Sequence, residues 1–194
     1  MTGAQPIKRL LLILTAVVIA APCGGVLTQR AHLLRDLPPW VVFGTTGEQT
    51  VIRTPAREET VTVTLHDSRL RISSDEPLFS SGNDWAVADC FICDLDRDGY
   101  DEVMLHVWRR GSFGKHQPFW QKPDDKACPT EHLFIYEWDM QRPDRLDPVW
   151  MSSQIPVRGQ RMQVDDSGVL RIEDPDGNVT LWEWGGWGLV RKDA

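Results

Sequence analysis

Catalytic signatures are missing from this chain. It has no nucleophile elbow, no His-Glu-x-x-His pair and no glycine loop suited to cradling phosphate. It also lacks a basic excess: 21 Lys and Arg stand against 28 Asp and Glu, for a net charge of −7. That balance excludes the basic face on which a nucleic-acid partner depends. Helical periodicity is absent beyond the N-terminal apolar run, so the bulk of the 194 residues reads as strand and turn. Cysteine is sparse, at four residues. Tryptophan is not: nine of these large aromatics suit short strands in an all-β core.

The N-terminus carries Lys8-Arg9 and then Leu10 to Leu27 without a charge. At ~1.5 Å per residue this run reaches about 27 Å, just short of a hydrocarbon core of ~30 Å. The basic pair orients the remainder outward, making residues 1–30 an anchor or an export signal and the domain extracytoplasmic. Three forms stay open: an uncleaved span through residues 10–27, cleavage after Val18-Ile-Ala20, and lipid attachment at Cys23, where Pro22 fits poorly. Residues 31–40, ending Leu-Pro-Pro-Trp40, read as a linker, and 41–194 as the β domain.

Within that domain the expected strands are Trp40–Gly44, Gln49–Arg53, Thr60–Leu65, Arg69–Ile72, Trp85–Cys93 and Glu102–Trp108. After them come His132–Trp138, Asp147–Ser152, Gly168–Glu173, Val179–Trp184 and Gly188–Arg191. Phe134-Ile-Tyr-Glu-Trp138 recurs as Thr180-Leu-Trp-Glu-Trp184, a shift of 46 residues, with Thr62-Val-Thr-Leu-His66 as a more degenerate third copy. A period in the forties matches one four-stranded unit, and the domain has room for about three. Asp165-Asp-Ser-Gly168 and Asp174-Pro-Asp-Gly177 read as turns.

Asp94-Leu-Asp-Arg-Asp-Gly-Tyr-Asp-Glu102 has carboxylates at positions 1, 3, 5 and 9 and glycine at 6. Calcium takes six to eight oxygens, and alternate side chains of a tight loop can converge on one centre. Asp94, Asp96, Asp98 and Glu102 are the candidate ligands, with the Tyr100 carbonyl. An EF-hand is excluded, because position 12 is Leu105 and the flanks read as strands.

A strand–acidic loop–strand of this spacing resembles the FG-GAP/VCBS repeats of integrin-α-like β-propellers, over Asp94 to Leu105. The resemblance implies Ca2+ as cofactor and antiparallel four-stranded blade-like sheets. The fold class expected is therefore all-β, a partial or small β-propeller preceded by an N-terminal apolar helix. It further implies a non-catalytic module for adhesion or recognition. A structural subunit of an envelope assembly and a polysaccharide-directed hydrolase are the alternatives, and a homo-oligomer would close an incomplete ring.

An insertion at 109–131 separates two strands and is too long for a hairpin turn. From Arg109 to Cys128, Arg109, Arg110, Lys115, Lys122 and Lys126 against Asp124 and Asp125 give a local balance of +3. With Trp120 and His116 among these cations, Arg109, Arg110 and Lys115 form a candidate site for an anionic envelope glycan or protein. Cys90, Cys93 and Cys128 are disulfide candidates in an exported domain, with pairing left open. A zinc site at Cys90-x-x-Cys93 is disfavoured, since the two alternate across a strand.

Overall fold

The computed structural model describes residues 23–111 and 128–192. These form one helix, α1 (Cys23–Arg35), and three four-stranded sheets, each an antiparallel meander taken in chain order. The first contains β1 (Thr46–Arg53), β2 (Glu58–His66), β3 (Arg69–Ser73) and β4 (Pro77–Ser80). The second contains β5 (Ala86–Cys93), β6 (Glu102–Arg109), β7 (Thr130–Asp139) and β8 (Arg142–Met151). The third contains β9 (Arg161–Val164), β10 (Leu170–Glu173), β11 (Val179–Trp184) and β12 (Leu189–Lys192).

Side-chain alternation makes the second sheet the middle layer. Val103, Leu105, Val107, Phe134 and Tyr136 pack with Val61, Val63, Leu65, Leu70 and Ile72 of the first sheet. Their neighbours Met104, Leu133 and Ile135 point the other way, onto Met162, Leu170 and Ile172 of the third. Hence β6 is buried from Glu102 through Trp108. A sheet covered on both faces needs apolar residues at successive positions, and Val103-Met-Leu supplies them. The outward residues of β2 are Glu58, three threonines and His66, while the third sheet's outward side carries the ion pairs Arg171–Glu173 and Lys192–Glu183, both 3.0 Å. Both outer faces are therefore largely polar, with Val51 exposed on the first and Val179 and Leu181 on the third.

The two clear repeat copies occupy equivalent places, since Phe134–Trp138 lies in β7 and Thr180–Trp184 is the end of β11, each the third strand of its sheet. Thr62–His66 lies in β2, a second strand, so the third copy is out of step by one strand. Two strands escaped the sequence. β4 opens on Pro77 at a sheet edge, where a missing N–H does no harm. β9 contributes only Met162 to the core.

Trp40–Gly44, expected as a strand, forms no ladder. Trp40 instead packs edge-on to Trp108, with ring centroids 5.4 Å apart, and Gly44 N–H donates to the Ala88 carbonyl at 2.8 Å. Residues 31–40, read as a linker, hold the last turns of α1, and Leu33 is buried there against Ala86, Ala88 and Trp108. The expected N-terminal apolar helix is not what α1 is: from Thr28 to Arg35 it carries Gln29, Arg30, His32 and Arg35. Residues 10–22 lie outside the described residues. Among the described residues no helix is long and apolar enough to cross a membrane.

Candidate metal centre

β5 and β6 are joined by the acidic loop. Its turn depends on two left-handed residues, Arg97 at φ 67° and Gly99 at φ 96°. Gly99 has open space where a Cβ would sit, so φ alone selects glycine there. Each aspartate commits one oxygen to the turn: Asp96 Oδ1 accepts from Asp98 N–H (3.1 Å), and Asp94 Oδ2 from Gly99 N–H (3.1 Å). Asp98 Oδ1 accepts from Tyr100 N–H (2.8 Å), and Glu102 Oε2 from Leu95 N–H (2.6 Å).

One carboxylate oxygen each from Asp94, Asp96 and Glu102 lie within 4.8 Å of one another. Two oxygens bound to one calcium ion at ~2.3–2.6 Å are separated by at most about 5.2 Å, so this trio fits a single cation. Asp94 Oδ1 is buried and has no hydrogen-bond donor among the described residues. A buried oxygen without a donor is costly unless a cation meets it.

The local electrostatics agree. Burial, and after it the charges of Asp96, Asp98 and Asp94, push the Glu102 carboxyl up to about 8. Asp96 is raised as well, by burial first and then by Asp98 and Asp94. Asp98 stands apart from the converging trio. With Tyr100, Glu137 and Asp147 it lines an adjoining acidic cavity of about 360 Å3.

Position 8 of the loop carries a function the sequence reading overlooked. Asp101 receives the Arg53 guanidinium through Nη2 (2.5 Å) and Nε (3.2 Å), together with Arg53 N–H (2.7 Å). Its own carbonyl accepts the Trp138 indole N–H at 2.9 Å. Across the loop, Arg97 donates to the Ser167 carbonyl through Nε at 3.0 Å, and Gly168 lies so close that a Cβ would meet the Leu95 carbonyl at 3.0 Å. Anchored in the second sheet, the loop thus grips β1 of the first sheet and the β9–β10 turn of the third. The only advance signal was Asp165-x-x-Gly168, whose aspartate caps its own turn through Ser167 and Val169 N–H.

The other expectations divide. Arg109 is held by Asp84 at 3.3 Å and Arg110 by Asp36, so both cations brace the root of the insertion against neighbouring segments. Lys115, His116 and Trp120 lie outside the described residues. Cys90, Cys93 and Cys128 are free thiols, which corrects the disulfide expectation. Cys90 joins the core between the first two sheets and Cys93 the core between the second and third, so β5 aims them apart. Burial pushes the Cys93 thiol up to about 12 and Cys90 higher still. His106 Nε2 meets Glu131 Oε1 at 2.7 Å in the interior, and Gly159 N–H donates to the same oxygen at 2.8 Å. His132 Nδ1 faces the Ser152 carbonyl at 3.0 Å and so carries the proton; its Nε2 then accepts from the Thr130 hydroxyl at 2.8 Å. Both histidines are structural. Comparison with known protein families, characterised proteins and solved structures finds no match.

Proposed function

We propose that this chain is an extracytoplasmic, calcium-stabilised binding module of β-propeller-like construction that performs no catalysis. One observation carries the proposal: the converging carboxylates of Asp94, Asp96 and Glu102, in a cluster where Asp94 also buries a donorless Oδ1. Asp94, Asp96 and Glu102 would hold the cation, Asp98 and Tyr100 shaping the loop beside them. A divalent ion would supply charge compensation at a turn that ties three sheets together. Three successive four-stranded meanders support the blade-like reading, and the charge-free run from Leu10 to Leu27 supports export. The ligand suggested by the insertion is an anionic envelope glycan or protein. Arg109 and Arg110 already satisfy carboxylates, so that role falls chiefly to Lys115, His116 and Trp120.

Scanning calorimetry of the full chain with calcium and with chelator tests the metal. For a dissociation constant of ~0.1–1 mM, about 10 mM calcium adds about 1.4–2.7 kcal/mol. In a domain of this size that raises Tm by about 3–11 °C. Asp96→Ala should lose most of the rise. Equal rises in parent and variant, or none in the parent, would end the reading.

A further inference from the structure

The two interfaces of the middle sheet differ in shape. Between the second and third sheets, β8 and the β11–β12 hairpin stand apart and enclose a wedge of about 500 Å3. Trp150, Trp182 and Trp187 line it with Leu189, and Ser153 and Gln154 edge it. Its lining carries no charged side chain. We propose that this wedge is the binding site for a neutral saccharide, its pyranose rings stacked on Trp187 and Trp150.

Four observations converge on that chemistry. A charged ligand would shed its hydration here without meeting a counter-charge. Trp187 is 76% exposed at the mouth, an indole face held in solvent. The turn that carries it is built for the purpose: Gly186 sits at φ 83°, and a Cβ on Gly188 would strike Trp150 Nε1 at 2.7 Å. Only glycine at 188 lets the turn lie flat on Trp150 and place the two indoles at one opening. Finally, the indole N–H groups of Trp150 and Trp187, the Ser153 hydroxyl and the Gln154 amide have no protein partner among the described residues. Sugar hydroxyls would satisfy such groups, whereas an acyl chain would bury them unpaired. An apolar cavity with a few convergent neutral polar groups is the usual form of a small-ligand site.

The inference does not rest on calcium. Leu133, at the wedge, and Glu137, at the acidic cavity, lie about 13 Å apart along β7 at ~3.3 Å per residue, and the two cavities share no lining residue.

Titration calorimetry of the full chain with cellohexaose, maltohexaose, mannohexaose and chitotetraose, and with dodecanoate as the apolar probe, tests it. At least one neutral oligosaccharide should bind with Kd of about 1 mM or tighter. Trp187→Ala should weaken that binding by about tenfold or more, Gln154→Leu less, and Trp187→Phe should recover part of it. Chelator should leave it unchanged, so loss of the calcium effect and loss of sugar binding register separately. Silence from all four oligosaccharides at roughly 1 mM, undiminished binding by Trp187→Ala, or saturation by dodecanoate alone would overturn the assignment.

Discussion

Replacing Glu102 with glutamine should abolish most of the stability that the metal-free protein loses between mildly acidic and mildly alkaline pH. Glu102 is 6% exposed, and its carboxyl is raised to about 8 by burial and by Asp96, Asp98 and Asp94. In the unfolded chain a glutamate titrates near ~4.3. Between those values the folded protein keeps a proton that the unfolded chain has released, so stability falls as pH climbs through the window. Below ~4.3 both forms are protonated and above about 8 both are ionised, and the contribution levels off at each end. At ~1.4 kcal/mol per pH unit the window corresponds to at most about 5 kcal/mol. Joint titration with the neighbouring carboxylates and the open side of the acidic cavity reduce the expected loss to about 2–4 kcal/mol. Urea unfolding followed by tryptophan fluorescence, from about pH 5 to pH 8 in EDTA, measures it. The parent should lose that amount and Glu102→Gln should stay nearly level. At pH 8 an excess of calcium should restore about 1.4–2.7 kcal/mol to the parent and far less to the variant. Parallel pH profiles for the two proteins, or an equal calcium gain in both, would refute the burial argument.

Two further outcomes follow from groups away from the loop. Arg30 is 7% exposed and donates to the Trp85 carbonyl (2.8 Å), the Ser68 hydroxyl (2.7 Å) and the Asp67 carbonyl, so Arg30→Ala should cost about 2–4 kcal/mol in urea unfolding. A loss within ~0.5 kcal/mol would mean α1 contributes little to the fold. Thiol labelling without denaturant, mapped by mass spectrometry, should modify the exposed Cys128 and spare Cys90 and Cys93, which are half-buried and whose thiols resist ionisation. Fast modification of Cys93 would show that the core beside the loop opens readily.

Much of the strand content was legible because alternation is a local property. Thr60-Val-Thr-Val-Thr-Leu65 can bury only one face, and it buries Val61, Val63 and Leu65. β9 was not legible, because Arg-Met-Gln-Val carries one buried apolar residue and owes its strand form to pairing with β10. Trp40–Gly44 misled for the converse reason: Trp40, Val41 and Phe43 are half-buried against the second sheet's edge, which needs contact but no ladder. In the loop, the spacing of Asp94, Asp96 and Glu102 was readable. The partition between Asp98, which turns toward the acidic cavity, and the trio was not, because it depends on where Glu137 and Asp147 sit. Arg30 was invisible, since arginine in a helix is ordinarily solvated, and its acceptors lie in the β2–β3 turn, 37 and 38 residues away, and at Trp85, 55 residues away.

Asp101 carries the larger lesson. Its side chain grips Arg53 in the first sheet, while Arg97 and the close approach of Gly168 bind the same loop to the third. The two apolar interfaces hold the sheets face to face, but apolar contact is non-directional and permits sliding. Directional bonds from one loop to both neighbours fix the register of all three layers at that end. Away from the loop, at the β8 edge, the second and third sheets part around the tryptophan wedge, where no such bond joins β8 to β12 among the described residues. On the proposed reading, a cation that tightens the loop would act on those directional contacts and leave the wedge free to take a ligand. Stability and recognition would then fall to separate parts of the same central sheet.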